Sequence, residues 1–162
     1  FANKRETVQY LSGKLYADEV PCVWLEGKMQ QDKRNTSVER LRNGTVNVLV
    51  ATDVAARGLD IDDITHVINF DMPRTADIYL HRIGRTGRAG NKGTAISLVE
   101  AHDMTVIGKI ERYIKERLPR RVIEALRPQN KEARVAVKKA KVKRTVAQKK
   151  AKAKKQAKRN KK

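Results

Sequence analysis

The sequence predicts an α/β fold with a mainly parallel sheet and helices on both of its faces. Short apolar runs of strand length alternate with segments in which apolar residues recur every three or four positions. The run Val46–Thr52 is apolar at most consecutive positions, as is typical of a parallel strand buried on both faces. Because strand, helix and strand follow one another, we expect right-handed βαβ units.

The boundaries of the predicted elements follow from periodicity and from turn residues. Gly44 lies where the second helix should end, and Pro119 cannot continue the last helix. Ligands of such sheets bind at the carboxyl ends of the strands, where the connecting segments begin. Strands are predicted over Cys22–Leu25, Val46–Thr52, Thr65–Phe70 and Gly93–Glu100, and helices over Lys4–Asp18, Gln30–Asn43, Ala76–Arg88 and Asp103–Leu118.

The positive charge is concentrated in the last quarter of the chain, which has a net charge of +19 over 162 residues. Residues 1–119 contain 18 Lys/Arg and 16 Asp/Glu, whereas residues 120–162 contain 19 Lys/Arg and two Glu. We predict a domain over residues 1–118, a junction over 119–130 and a disordered Lys/Ala/Arg-rich tail over 131–162. Such a tail suits an RNA tether, although a solubilising tail would have the same composition.

Several sequence features limit the cellular compartment, the ligands and the partners that we expect for this chain. A single cysteine, Cys22, excludes an internal disulfide and favours a reducing, cytoplasmic compartment. No stretch approaches the roughly 18 apolar residues that span a membrane, so no membrane partner is expected. His66, His81 and His102 lack metal-ligand spacing, and no metal site is predicted. Phe1 starts within an apolar-to-polar pattern, so we expect the chain to be part of a longer protein.

The stretch YLHRIGRTGRAG, residues 79–90, contains three arginines at every third position, Arg82, Arg85 and Arg88. Arginine binds phosphate through two parallel hydrogen bonds and stays charged at all physiological pH values. The intervening Gly84 and Gly87 would each cost a helix about 1 kcal/mol relative to alanine, but they allow another surface to approach the backbone. The pattern favours a phosphate site over a solvated basic helix.

Two further stretches follow predicted strands. In VLVATDVAARGLDI, residues 48–61, Thr52 could donate to a phosphate, and Asp53 could cap the next helix or pair with an arginine. In LEGKMQQDKR, residues 25–34, the backbone at Gly27 and the following helix start could bind a phosphate, although a plain helix start is the simpler interpretation. No phosphate loop of the G-x-x-x-x-G-K-[ST] type occurs in the chain.

In this order and spacing, these stretches resemble motifs of the C-terminal RecA-like domain of DEAD-box RNA helicases. FANKRETV resembles the end of motif IV, and LEGKMQQDKR resembles the family's LHG-x-x-x-Q-x-x-R element. VLVATDVAARGLDI resembles motif V, and YLHRIGRTGRAG resembles motif VI. The sequences LEG and LVEAHD are particularly similar to the bacterial SrmB-like branch, which is associated with ribosome assembly. The chain departs from the family pattern at Glu26, where His is usual, and at Lys4, where Thr is common.

The resemblance implies a RecA-like three-layer α/β/α fold and half of an ATP-dependent RNA helicase. ATP with Mg²⁺ would be bound mainly by an N-terminal RecA-like domain that this sequence lacks, so the chain alone should not hydrolyse ATP. RNA would be bound largely without sequence preference, and ribosomal precursor particles are possible partners. The implied roles are arginine fingers at Arg85 and Arg88, ribose binding at Asp60, coupling between domains at Asp53, Arg57, His81 and Arg82, and RNA binding at Asn3, Arg5, Gly27, Gln31, Arg34 and Thr52.

Two other functions remain open at this point. A stand-alone basic RNA-binding module would need no arginine fingers, so Arg85 and Arg88 argue against it. A DNA-directed helicase or translocase of the same superfamily would usually have Gln in place of His81.

Overall fold

The computed structural model describes residues 1–59, 61, 64–88 and 90–126. The predicted tail, the last part of the junction and Asp60 lie outside these residues. Helices and strands alternate along the chain, as the sequence predicts. The helices are α1 (Arg5–Ala17), α2 (Gln31–Arg42), α3 (Asp53–Ala56), α4 (Ala76–Ile83) and α5 (Met104–Ile114), the strands are β1 (Cys22–Leu25), β2 (Val48–Ala51), β3 (His66–Asn69) and β4 (Thr94–Ser97), and two 3₁₀ turns cover Ala101–Asp103 and Glu124–Leu126.

The strands form two parallel pairs, β1 with β2 and β3 with β4. Phe1 and Ala2 join the two pairs through backbone hydrogen bonds. The Ala2 amide donates to the carbonyl oxygen of Ala51 at 3.1 Å, and the Phe70 amide donates to the carbonyl oxygen of Phe1 at 2.9 Å. The amino group of Phe1 also donates to the Ile68 carbonyl oxygen at 2.6 Å. The first two residues therefore lie between β2 and β3.

Side chains of β2 alternate between two apolar layers. Val48 and Val50 pack beneath α1, in a cluster that contains the buried Val8. Leu49 and Ala51 face the opposite way and pack with Ala55 of α3. A third cluster joins α4 to α5 through Tyr79, Ile107 and Ile110 together with Met72. Helices thus cover both faces of the β1–β2 pair, which confirms the predicted three-layer α/β/α arrangement.

The main difference from the sequence prediction concerns the end of α4. The predicted helix runs from Ala76 to Arg88, but the observed helix stops at Ile83, with Gly84 as its C-cap. Gly87 has a φ of 69°, a left-handed conformation that a continuing helix cannot contain. Arg85 and Arg88 therefore lie in a turn, and the prediction that the helix extends to Arg88 is wrong.

The last helix is also shorter than predicted, because Lys115 adopts a left-handed φ of 59° and ends it. Its apolar residues Ile107 and Ile110 pack against Tyr79 of α4. Within the part of the chain that the structure describes, no helix has the length and apolar character needed to cross a membrane.

Candidate functional site

Arg82 is the most completely buried charged side chain described, with 1% of its surface exposed. The Asp53 carboxylate accepts two parallel hydrogen bonds from it, at 2.7 Å from Nε and 2.8 Å from Nη2. Nη1 donates to the Asn69 side-chain oxygen at 3.2 Å and to the Asp71 carbonyl oxygen at 2.7 Å. Nη2 also donates to the Asn3 side-chain oxygen at 2.8 Å. The guanidinium group therefore forms five hydrogen bonds within this domain.

These contacts make Arg82 the point at which four chain segments meet. Asn3 precedes α1, Asp53 begins α3, and Asn69 ends β3, while Arg82 itself lies in the last turn of α4. The ring of Phe1 lies 5.2 Å from the guanidinium carbon, within the range of a cation–π contact. A buried charge requires such a complete set of partners because its desolvation is costly. Because its hydrogen bonds are all made within this domain, Arg82 can affect a neighbouring domain only indirectly, through the residues that it contacts.

A polar chain continues from this cluster to α4. The side-chain nitrogen of Asn69 donates to the Ser97 hydroxyl at 3.0 Å. Burial raises the pKa of Tyr79 above its ordinary value, and a side-chain hydrogen bond with Ser97 opposes that shift. Tyr79 is therefore neutral at physiological pH, and this chain holds β3, β4 and α4 together.

Arg85 and Arg88 lie in the turn after α4 and have a different environment. Arg85 is partly buried, and its Nη1 donates to the carbonyl oxygen of Leu59 at 3.0 Å. Arg88 is exposed, and its Nε donates to the carbonyl oxygen of Gly84 at 2.9 Å. The Leu59 carbonyl oxygen that Arg85 contacts carries no net charge, so the Arg85 guanidinium group can also interact with an anion such as phosphate.

The geometry of this turn depends on local packing. A Cβ atom at Gly93 would overlap the backbone nitrogen of Gly87 and the side chain of Thr86. The Thr86 hydroxyl in turn donates to the carbonyl oxygen of Ile64. Gly87 itself needs its positive φ, as described above. The glycine pattern thus has a local cause in the turn, which sequence reasoning missed when it assigned these residues to close approach by another surface.

Thr52 and Asp53 connect β2 to α3. Thr52 is the N-cap of α3, and its buried hydroxyl accepts a hydrogen bond from the Ala55 amide at 3.4 Å. Asp53 pairs with Arg82 and does not cap the helix, so the second of its two predicted roles is the observed one. Arg57 is exposed after the helix, and Asp60 lies outside the described residues.

Gly27, Gln31 and Arg34 lie at the carboxyl end of β1 and on α2. Gly27 is exposed, and the Gln31 amide donates to the Asn35 side-chain oxygen at 2.8 Å. Arg34 donates to the carbonyl oxygen of Arg57 at 3.4 Å, so that α2 contacts the segment after α3. Gln31, Arg34 and Gly58 are among the residues that line an open groove of about 540 Å³ between these two segments.

Asn3 and Arg5 are engaged within the domain. The Asn3 amide nitrogen donates to the Met72 carbonyl oxygen at 2.9 Å, while its oxygen accepts from Arg82. Arg5 forms two hydrogen bonds to the carboxylate of Glu26, at 3.0 and 3.2 Å. The sequence indicated that Glu26 departs from the family pattern, but it contained no sign of this partner.

The remaining predicted residue, His81, is exposed on α4 next to the buried Arg82. The structure thus brings Asn3, Asp53 and Arg82 into direct contact and links Arg34 to Arg57. Among the described residues, no group of three or more His, Cys, Asp or Glu side chains could hold a metal ion.

Comparison with known proteins identifies the family. Residues 1–90 match the model of the helicase conserved C-terminal domain. In the crystal structure of the Escherichia coli DEAD-box protein SrmB bound to regulator of ribonuclease activity A, the matched chain is 59% identical to this one. The match covers 81% of this chain and 77% of that chain, with a TM-score of 0.75. The chain belongs to the DEAD-box family. It is an SrmB-like C-terminal helicase domain with a RecA-like fold.

Two other relatives place this DEAD-box domain within longer proteins. The ATP-dependent RNA helicase SrmB of E. coli K12 is 60% identical over 131 residues, which are 81% of this chain and 30% of that protein. A Saccharomyces cerevisiae Dbp5 variant bound to RNA and ADP–BeF3 is 34% identical, covering 72% of this chain and 33% of that chain, with a TM-score of 0.66. The present chain therefore spans about 30% of the length of its SrmB relative.

The site of this DEAD-box domain has three parts with different chemistry. The Arg82 cluster is buried and saturated, so it holds the domain together. The turn with Arg85 and Arg88 offers guanidinium groups of the kind that bind phosphate oxygens, and this donor set fits the phosphates of ATP. The groove beside Gln31 and Arg34 offers polar and cationic groups that fit a nucleic-acid backbone.

Proposed function

We propose that this chain is the C-terminal half of an ATP-dependent RNA helicase and supplies arginine fingers to an active site that it shares with an N-terminal half. The observation that carries this proposal is the contrast between Arg82 and the next two arginines of the motif. The guanidinium group of Arg82 forms five hydrogen bonds within the domain, while Arg85 and Arg88 lie beyond the end of α4, in the turn that follows it. Arg85 is partly buried and Arg88 is exposed, and these surface positions support the proposal that they act on a group outside the domain.

The physical role of these arginines follows from phosphoryl transfer. The chemistry consists mainly of positioning and of stabilising the charge that develops on the transferred phosphoryl group, and a finger arginine contributes roughly 10³–10⁵ in rate. ATP with Mg²⁺, held mainly by the N-terminal half, supplies the phosphoanhydride bond. Arg85 and Arg88 contribute their guanidinium groups only when the two halves are closed, so the chain alone does not hydrolyse ATP.

RNA couples to this closure through residues at the strand ends. Gly27, Gln31 and Arg34 contact the RNA backbone in this proposal, which is supported by the groove that Gln31 and Arg34 line. An RNA strand that fits both halves only in their closed arrangement shifts the population towards that arrangement. Asp53, Arg57, His81 and Arg82 then connect the RNA-binding residues to the arginine turn, and Asp60 binds the ribose. Thr52 supports the same surface as the N-cap of α3.

The direct test is a chimera in which residues 1–131 of this chain replace the corresponding segment of E. coli SrmB. We expect RNA-stimulated ATP hydrolysis by the chimera and none above background by the present chain alone. Unmodified SrmB is the positive control, and its RNA-stimulated ATP turnover shows that the assay conditions are suitable. A folded chimera that binds RNA but does not hydrolyse ATP would instead favour a stand-alone RNA-binding module.

We also propose that the basic tail tethers RNA in the cytoplasm, where precursor ribosomal particles are candidate substrates. A cut after Pro128 removes 16 Lys/Arg and one Glu. The truncated chain should lose most of its affinity for single-stranded RNA and most of its salt dependence, because each neutralised phosphate contributes about 0.7 to the logarithmic salt slope. A chain with residues 129–162 in scrambled order is the control and should bind as tightly as the original. Unchanged affinity after the cut contradicts the tether.

A further inference from the structure

Glu26 and Arg5 form an ion pair at the edge of the proposed RNA-binding surface. Nε of Arg5 donates to Oε2 of Glu26 at 3.0 Å, and Nη2 donates to Oε1 at 3.2 Å. The side-chain nitrogen of Gln9 donates to the same Oε2 at 3.1 Å. The packing of α1 against β1 creates this cluster, since Arg5 and Gln9 belong to α1 and Glu26 directly follows β1.

The two members of the pair differ in exposure. The Glu26 side chain is 9% exposed, whereas the Arg5 side chain is 42% exposed. A buried carboxylate needs a partner for its charge, because an unpaired charge is costly away from water. Hydrogen bonding to Glu26, followed by its negative charge, raises the pKa of Arg5 above its ordinary value. Arg5 therefore stays protonated and is retained by a carboxylate that cannot easily turn to solvent.

The position of this pair relates it to RNA binding. Glu26 directly precedes Gly27, and Arg5 is close in sequence to Asn3, so the pair borders the proposed backbone contacts. Of the two arginines predicted to bind RNA, Arg34 donates to a neutral carbonyl oxygen. Arg5 instead donates both of its parallel hydrogen bonds to an anion. The positive charge of Arg5 is therefore already compensated by Glu26 when no RNA phosphate is bound.

We propose that Glu26 neutralises Arg5 and thereby lowers the affinity of this surface for RNA, an inference that rests on the function proposed above. The site then binds the RNA backbone with one effective cation fewer. When the two helicase halves are closed, a surface with lower affinity releases RNA more readily after each turnover. The basic tail meanwhile keeps the RNA nearby. Glu26 is thus an affinity-determining residue at the position where the family usually has His.

The test measures binding of a single-stranded oligouridylate to the full 162-residue chain over a range of KCl concentrations. Glu26→Gln removes the negative charge with little change in shape. It should bind about threefold to tenfold more tightly at low salt, with a logarithmic salt slope steeper by about 0.7. Glu116→Gln is the matched control, since it removes an equal charge at an exposed position just after α5. Its affinity should change by less than about twofold.

The decisive variant is Arg5→Gln combined with Glu26→Gln, which keeps the net charge of the original chain. If Arg5 is already neutralised, the double variant binds RNA as the original chain does. A several-fold loss of affinity in the double variant means that Arg5 contacts RNA directly, which overturns the proposal. Equal affinity of Glu26→Gln and the original chain overturns it as well.

Two further variants separate the possible causes of failure. Glu26→His introduces the residue usual in the family and should also tighten binding, which keeps the test valid if Glu26→Gln does not fold. Arg34→Gln should weaken binding several-fold if the RNA surface exists. If Arg34→Gln has no effect, the RNA surface itself is refuted together with this inference. If Arg34→Gln weakens binding but the Glu26 variants have no effect, the proposed function stands and the inference that Glu26 neutralises Arg5 is refuted.

Discussion

Arg82 and Arg88 belong to one short stretch of sequence but occupy opposite environments. Arg82 is 1% exposed and donates five hydrogen bonds to residues from three other segments. Arg88, six positions later, is exposed in a turn and donates to the backbone of the same turn. Equal spacing and equal residue type therefore do not imply equal environments, because the helix ends between the two arginines at Ile83.

In the proposed function, this contrast divides the motif into a structural part and a functional part. Arg82 stabilises the contact of α3, β3 and α4, so we expect its loss to lower the free energy of unfolding. We expect substitutions of Arg85 and Arg88 to change that free energy less and to lower ATP turnover instead. Substitutions within the motif can therefore separate the two parts.

The largest expected effect on stability belongs to Arg82→Met. The substitution leaves the Asp53 carboxylate and the Asn69 side-chain oxygen without this donor, and breaking a buried ion pair costs up to about 3–5 kcal/mol. Urea denaturation of the 162-residue chain measures this loss. Arg74→Met, at an exposed position before α4, is the control and should lie within about 0.5 kcal/mol of the original. A similarly small loss for Arg82→Met would show that the cluster is not structural.

An intermediate effect is expected for Gly87→Ala. Alanine must adopt the left-handed conformation of this residue, with a φ of 69°, at a cost of about 1–2 kcal/mol. Gly108→Ala is a control of opposite sign, because Gly108 lies within α5 with open space around its Cα. That substitution should stabilise the chain by up to about 1 kcal/mol. Equal and favourable effects at both positions would contradict the turn geometry.

The smallest effect on stability is expected for Arg85→Lys and Arg88→Lys. Both side chains donate to backbone oxygens at or near the surface, and lysine keeps the charge. Urea midpoints should change by no more than the equivalent of about 0.5 kcal/mol. A loss comparable to that of Arg82→Met would mean that these arginines also hold the domain together, and the division of the motif would fail.

The sequence predicted the order of the strands and the four longer helices, because the spacing of apolar residues reflects which face of each element is buried. It extended α4 to Arg88 because the threefold spacing of arginines continues the helical period past Gly84. Gly87 has a positive φ and lies against the backbone of Asn91 and Gly93, a contact that forms only in the folded turn. Local periodicity cannot register such a turn.

The partners of the charged residues were harder to predict than the elements. Asp53 was expected either to cap a helix or to pair with an arginine, but Arg82 lies 29 positions away and only the fold selects it. Glu26 and Arg5 are 21 positions apart, so their pairing depends on how α1 packs on β1. A sequence identifies candidate charges, whereas tertiary packing decides which of them are neutralised.

In the proposed function, Arg88 acts on ATP outside its own domain, whereas Arg82 acts within it. The direct test is RNA-stimulated ATP turnover by the SrmB chimera carrying Arg88→Lys. We expect a loss of at least about 10³-fold in turnover, because lysine cannot reproduce the planar fork of arginine at the phosphoryl group. The RNA concentration for half-maximal stimulation should remain within about twofold, because Arg88 is not among the residues proposed to contact RNA. Turnover close to that of the original chimera would contradict the account.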